Sequence, residues 1–333
     1  MSTAWQQMAP QSTNQGRRYD IDTLRVLAFG LLILYHCGMF YVADWGWHVK
    51  SEHLSDGLKR LMILSNQWRM ELLFLISGMA VAFMLEKYSA AQVAGSRIKR
   101  LLPPLLFGMV VVVAPQAYFQ GSANGAFDYS YWEFYTRYLS LQPWPVDAFD
   151  GWDFGWTWNH LWFLPYALAY SLIWSGFSVA LRWQPLAGGL ARLRTASVWP
   201  YLALACGWLF LLAWQMDRTF DETHNFFEDW YLHAQYFSIF SMGFVLSRAQ
   251  HWWQQLGTKR WFTLVVALLC YGLILWGREV LPEELTEWDY VLIYAVLTIN
   301  ACAWLATILG WSHRYLNRPW KWLPYATEAV FPW

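Results

Sequence analysis

The feature that most constrains this chain is a recurrent apolar run, each about as long as a helix needs to cross a ~30 Å hydrocarbon core. Such runs fall near 23–43, 69–86, 101–119, 160–181, 198–215, 230–247, 261–277 and 289–311, and a ninth begins near Leu323 and stops at Trp333. Lipid offers no water to backbone N–H and C=O groups, so runs of this length fold as helices. They predict an all-α polytopic membrane protein with about eight complete transmembrane helices plus a truncated ninth. Only 14% of the residues are charged, against about 25% in soluble domains, which excludes an ordinary soluble globule. Tryptophan occurs 26 times, as expected where indoles anchor at membrane interfaces.

The charges between the runs set an orientation. Basic residues gather in alternate loops: Arg17 and Arg18, then Arg97, Lys99 and Arg100, then Arg182, Arg192 and Arg194, then Lys259 and Arg260, then Arg314, Arg318 and Lys321. The other loops hold most of the acids, among them Asp128, Asp153, Glu222, Glu228, Glu283 and Glu287, although Lys50, Lys59 and Arg60 break the pattern in the first of them. The positive-inside rule then predicts a cytoplasmic N-terminus. It divides the chain into a cytoplasmic tail, 1–22, and an integral-membrane domain, 23–333, that is C-terminally incomplete and carries a large outer loop, 120–159. Residues 1–19 have no apolar core, so the first span is expected to direct insertion. Zero net charge and the lack of a basic tail argue against a nucleic-acid partner. The four cysteines, Cys37, Cys206, Cys270 and Cys302, lie in apolar stretches without metal-ligand spacing, and no metal site is expected.

Ionisable residues inside spans are costly and mark function. The first span holds two, Arg25 and His36, with ten residues between them. At 1.5 Å rise and 100° per residue they lie roughly 16 Å apart and within about 20° of one face. Glu71 opens the second span at a depth similar to that of His36, where a carboxylate can fix a histidine's tautomer or pair with Arg69. Cys37 follows His36 but points about 100° away, so the two do not face one another. Arg97 and Arg100 form a cationic cluster at the inner surface. It serves as a topology signal, or as a holder of phosphates such as those of a coenzyme A thioester. His160 begins the fourth span from outside, placed to meet an acceptor or to bond in the headgroup zone. The outer loop 120–159 sets aromatic rings beside acids and amides, which suits sugar binding or an interfacial aromatic belt. Ser77-Gly78 permits close helix approach. Pro103-Pro104 and Pro115 are expected to interrupt the third span.

These motifs, in this order, resemble the membrane acyltransferase 3 family. Arg25 and His36 match its Arg-x10-His pair, Phe74-Leu75-Ile76-Ser77-Gly78 its second-span motif, Arg97 to Arg100 its Arg-x-x-Arg, and His160-Leu161-Trp162-Phe163 its His-Leu-Trp-Phe segment. Trp47-His48-Val49-Lys50-Ser51, Arg69-Met70-Glu71 and Asp22 are most similar to the periplasmic (osmoregulated) glucan succinyltransferases within it. Relatives have about ten spans, so the resemblance implies that this chain ends inside the ninth.

The resemblance implies a multi-pass O-acyltransferase of the bacterial cytoplasmic (inner) membrane. It would move an acetyl or succinyl group from cytosolic acyl-CoA to a hydroxyl of a periplasmic or cell-envelope carbohydrate, with acyl-CoA as substrate and no permanently bound cofactor. Arg25, Arg97 and Arg100 would hold the coenzyme A phosphates. His36 would take the acceptor proton or relay the acyl group, and Glu71 would orient His36 or bind the acceptor. His160, Trp162 and Asp22 would bind substrate. The expected partners are the lipid bilayer, acyl-CoA and the carbohydrate acceptor, with oligomeric state left open. Competing readings are a transporter or exporter of an acylated sugar or organic acid, with Arg25 and His36 lining its path, and an inactive truncated family member.

Overall fold

The structure, a computed structural model, describes residues 17–180 and 196–330. Arg182, Arg192 and Arg194, most of the expected tail and the last residues of the ninth run lie outside the described residues. The described residues form helices and no β-sheet. Six helical stretches are long and apolar enough to cross a membrane: Tyr19–Met39, Asp56–Lys87, Ala90–Ala123, Val198–Asp217, Arg260–Val280 and Glu287–Tyr315. Two more apolar helices, Phe163–Ala180 and Trp230–Leu246, have 18 and 17 residues, slightly short of the ~20 that span a bilayer upright. The chain is thus a multi-pass helical membrane protein. The ninth run folds as a short helix, Leu323–Ala329, against the first helix.

Helix α1 (Tyr19–Met39) begins with Asp20 and Asp22 in its first turn, where the helix dipole favours negative charge. Asp20 is fully buried, accepts from Arg18 at 2.8 and 2.9 Å, and lies 3.5 Å from His313. Helix α2 (Asp56–Asn66) occupies part of the expected first outer loop, capped by Ser55, whose hydroxyl accepts from Leu58 N. Helix α3 (Arg69–Lys87) is the centre of the bundle and is buried on all faces.

Helix α4 (Ala90–Phe107) starts at a reciprocal capping box between Ser89 and Gln92. It runs through a wide turn at Gly108–Val113 into α5 (Ala114–Ala123). The expected interruption by prolines does not occur. Pro115 lacks the N–H that Val111 would use, and the ladder widens one turn earlier instead of stopping. Helix α6 (Tyr131–Leu139) lies in the outer loop. Helices α7 (Phe163–Ala180), α8 (Val198–Leu212), α9 (Trp230–Leu246), α10 (Gln250–Thr258), α11 (Arg260–Val280) and α12 (Glu287–Tyr315) complete the bundle.

The closest packing joins α3 to α9. A Cβ added at Gly78 would lie 1.9 Å from the Phe240 carbonyl oxygen, and one at Gly243 would lie 2.0 Å from that of Leu75. Each glycine thus receives the other helix's backbone, the small-residue device of membrane bundles expected at Ser77-Gly78. The outer surface is apolar, as on α11, where Phe262, Val265, Leu269, Leu273 and Trp276 are exposed. Polar side chains turn inward or back onto their own helix, as Ser171 Oγ does by donating to the Ala167 carbonyl at 2.6 Å.

The loop 120–159 folds into a cap with its own core of Phe127, Phe134, Tyr138, Trp144 and Phe149. Most of these rings are therefore spent on packing and do not face outward for sugar. Tyr138 lies at the centre, donating to the carbonyls of Met109 and Thr157 at 3.3 and 3.2 Å, while Trp156 Nε1 donates to the Tyr138 carbonyl at 2.7 Å. Burial pushes the Tyr138 hydroxyl up to about 12, so it stays a proton donor to those carbonyls across the physiological range.

Candidate active site

The last turns of α1, the start of α3, the middle of α9 and the root of the cap enclose a cavity of about 540 Å³. His36, Glu71, His160 and Trp162 all line it. His36 Nδ1 lies 2.7 Å from the Leu32 carbonyl one turn earlier. A carbonyl only accepts, so the neutral ring carries its proton on Nδ1 and leaves the Nε2 lone pair available. His36 thus has the tautomer a general base needs. The group that fixes it is the Leu32 carbonyl, and not Glu71 as the sequence suggested.

Glu71 is buried and bonded elsewhere. Its Oε1 accepts from Gln235 Nε2 of α9 at 3.2 Å, while Oε2 has no partner among the described residues. Arg69, also buried, stacks on the Tyr35 ring at 3.4 Å, and its Nε and Nη1 have no partner among the described residues. Tyr35 is itself held by donation to Asn66 Oδ1 at 3.0 Å. A carboxylate and a guanidinium with free valences therefore line the same cavity as His36.

His160 arrives on a short turn, Asn159–Leu161, in which Asn159 takes φ +44°, a left-handed conformation asparagine tolerates. Its ring centroid lies 5.4 Å from that of His36, and the Trp47 ring centroid lies 5.7 Å from that of His36. The Asn159 side chain bonds His48, whose Nε2 is 3.9 Å from Asp150. This ties the 44–55 loop to the cap over the cavity. Burial holds His48 below the usual histidine range, so it is neutral at pH 7. Trp162 packs between Phe74, Tyr236 and His224, at centroid distances of 6.0, 5.5 and 4.5 Å.

The arginines lie at the other end. Arg25, Ser77, Arg97 and Phe163 line a small cavity of about 30 Å³, roughly the space of one water. Arg97 is buried and donates from Nε to Ser171 Oγ at 3.1 Å. Arg25 meets Asp22 at 3.6 Å, and Arg25, Arg97 and the more exposed Arg100 repel one another at close range. No carboxylate lines this cavity among the described residues. Asp22, grouped with His160 and Trp162 from sequence, belongs here instead. It pairs with Arg17 at 2.8 Å as well as with Arg25, and it lies fourteen residues, about 21 Å, along α1 from His36. Cys37 is exposed and is not among the residues lining either cavity.

The sequence reading missed Gln235, Tyr231, Glu222 and His224, all of which line the larger cavity. Gln235 carried a usable signal, since an amide in an apolar run needs a partner. No curated protein and no solved structure matches the chain. A family model described as an acyltransferase domain does match, over residues 18–332, which takes in both cavities and every helix that builds them. That match takes in the helix that carries His36 at one end and Arg25 at the other, and by it the chain belongs to the acyltransferase 3 family of membrane acyltransferases.

Proposed function

We propose that the chain moves an acyl group from acyl-CoA, held at the arginine end of α1, to a carbohydrate hydroxyl held at the histidine end. The observation that carries this reading is the pair of opposed sites on one helix. Arg25, Arg97 and Arg100, with Asp22 3.6 Å from Arg25, gather positive charge that suits phosphates, and His36, whose Nδ1 bond leaves the Nε2 lone pair available, lines a cavity large enough for a sugar ring. The ~16 Å between Arg25 and His36 is of the order a pantetheine arm can bridge. His36 takes the hydroxyl proton as the oxygen attacks the thioester carbonyl. The carbon–sulfur bond of the thioester breaks, and the imidazolium passes that proton to the departing thiolate, so coenzyme A leaves as the thiol. Charge alternation in the loops supports the arginine end facing the cytoplasm, and the family resemblance suggests a bacterial inner membrane.

Arg69 supports succinyl over acetyl. Its side chain lines the cavity that His36 lines, and a guanidinium recognises a free carboxylate in a way no methyl group can satisfy. Label supplied as acetyl- or succinyl-CoA to the outside of inverted inner-membrane vesicles tests the whole reading. Label reaching a luminal carbohydrate fraction supports it. Acyl-CoA left intact by correctly inserted protein overturns it, and substrate accumulation without acyl-CoA consumption favours transport.

A further inference from the structure

A second cavity, of about 770 Å³, opens beside the first, between residues 150–159 of the cap and the 222–228 loop that leads into α9. Both cavities are lined by Asp150, Asn159, Glu222 and His224, so a ligand in the outer one adjoins the histidines of the inner one. The two walls are fixed to one another and to the bundle. Trp158 Nε1 donates to the His224 carbonyl at 2.8 Å. Thr223 N and Oγ1 donate to buried Asp229 Oδ1 at 2.8 and 2.7 Å.

The lining is chemically one-sided. The indoles of Trp152, Trp156 and Trp158 supply flat apolar faces, and Asp153, Glu222 and Glu228 supply acceptors. No lysine or arginine lines the cavity among the described residues. The carboxylates are not gathered for a cation either, since no three histidine, cysteine or acidic groups among the described residues could hold a metal ion. Asn225 contributes a buried Nδ2 with no partner among the described residues. Spaced acceptors beside indole faces suit sugar rings, which stack their C–H faces and donate their hydroxyls. A phosphate, sulfate or uronate there would meet like charge with no lysine or arginine among the described residues of the lining to pair it.

We propose that this outer cavity is a subsite for the sugar rings flanking the one that is acylated, and that it selects an acceptor glycan carrying no acidic groups. The orientation of that glycan toward His36 rests on the acyl-transfer reading, but its binding does not.

The test is calorimetric titration of the purified full chain in detergent, without donor, with short neutral gluco-oligosaccharides and with oligogalacturonates of matched length. Wild type is expected to bind the neutral series and not the acidic one. Trp152→Ala is expected to weaken neutral binding roughly five- to tenfold, the scale of one stacked aromatic contact. The exposed pair Asp153→Lys with Glu228→Lys, which leaves the core untouched, is expected to admit the oligogalacturonates. Wild type binding both series equally, binding neither, or keeping full affinity in Trp152→Ala would each overturn the proposal, as would a charge-reversed protein that still excludes the acidic series. Acyl-CoA consumption measured in parallel separates the two readings. Turnover without oligosaccharide binding removes the subsite and leaves acyl transfer standing, whereas binding without turnover does the reverse.

Discussion

His36→Asn isolates the one atom the proposed chemistry needs. The asparagine amide reaches about as far from the backbone as His36 Nδ1, so it can still donate to the Leu32 carbonyl that lies 2.7 Å from that nitrogen. Nothing replaces Nε2. The change therefore keeps the local hydrogen bond of α1 and deletes only the base. General-base assistance contributes about 10²- to 10⁴-fold, so transfer is expected to fall by that factor, a barrier increase of roughly 2.7–5.4 kcal/mol. The loss should fall on turnover at saturating acyl-CoA, because the arginines proposed to hold the donor lie at the far end of the helix. Thermal unfolding in detergent should move little. The assay is acyl transfer in inverted vesicles, with protein quantified in the membrane fraction. A folded His36→Asn protein that transfers at the wild-type rate would refute both the base assignment and the tautomer argument beneath it.

Gly78→Ala should destabilise the bundle by more than the ~1–3 kcal/mol of ordinary overpacking, because the added methyl meets the Phe240 backbone oxygen at 1.9 Å; detergent melts compare it with Gly176→Ala, where the Cβ meets nothing within 4 Å. Arg69→Gln should lower the rate with succinyl-CoA roughly tenfold or more, the ~1.5–3 kcal/mol of a hydrogen bond to a charged group, and leave acetyl-CoA nearly unaffected; competition between the two labelled donors reads the ratio. His48 gives a pH signature. Its folded pKa lies below its unfolded one, so the unfolded chain binds the proton first. The stability held by neutral His48 is therefore complete above about pH 6.5 and is lost as pH falls through the lowered folded value. His48→Asn should flatten that part of a melting-temperature profile against pH.

Much of this molecule could be read in its sequence, because lipid leaves the backbone few choices. Each of the eight complete apolar runs contains a helix, and Gly78 makes the close approach that Ser77-Gly78 implied. The spacing of Arg25 and His36 described two ends of one helix, and the structure sets each in its own cavity. What could not be read shares a cause. Asp22, His160 and Trp162 were each expected to bind substrate, yet Asp22 lies in the first turn of α1 beside Arg17 and Arg25, away from the cavity that the other two line. Glu71 was expected to orient His36 or to bind the acceptor, and only the fold shows that its carboxyl meets Gln235 while the Leu32 carbonyl bonds His36. Helix α2 escaped notice because it is amphipathic and lies in a segment of mixed charge, though Ser55 three residues before Leu58 marked its start. The 222–228 loop has no period at all, and only the fold brings Glu222 and His224 to the cavity.

The interlock of Gly78 with Phe240 and Gly243 with Leu75 bears on how such a site can move. Two helices whose backbones already occupy one another's side-chain space cannot slide past one another without clash, and cannot separate without giving up that packing. Glu71 and Gln235 therefore ride on a single stiff beam, and their separation is a fixed dimension of the protein. Helix α1 is held differently, with Leu27, Ile33 and Leu34 facing outward and few residues engaged inward. Any widening that admits a donor's tail must come from α1 and the cap swinging against that beam. Adaptation to bulkier acyl groups would then fall on residues of α1 and the 44–55 loop and leave the α3–α9 pair unchanged.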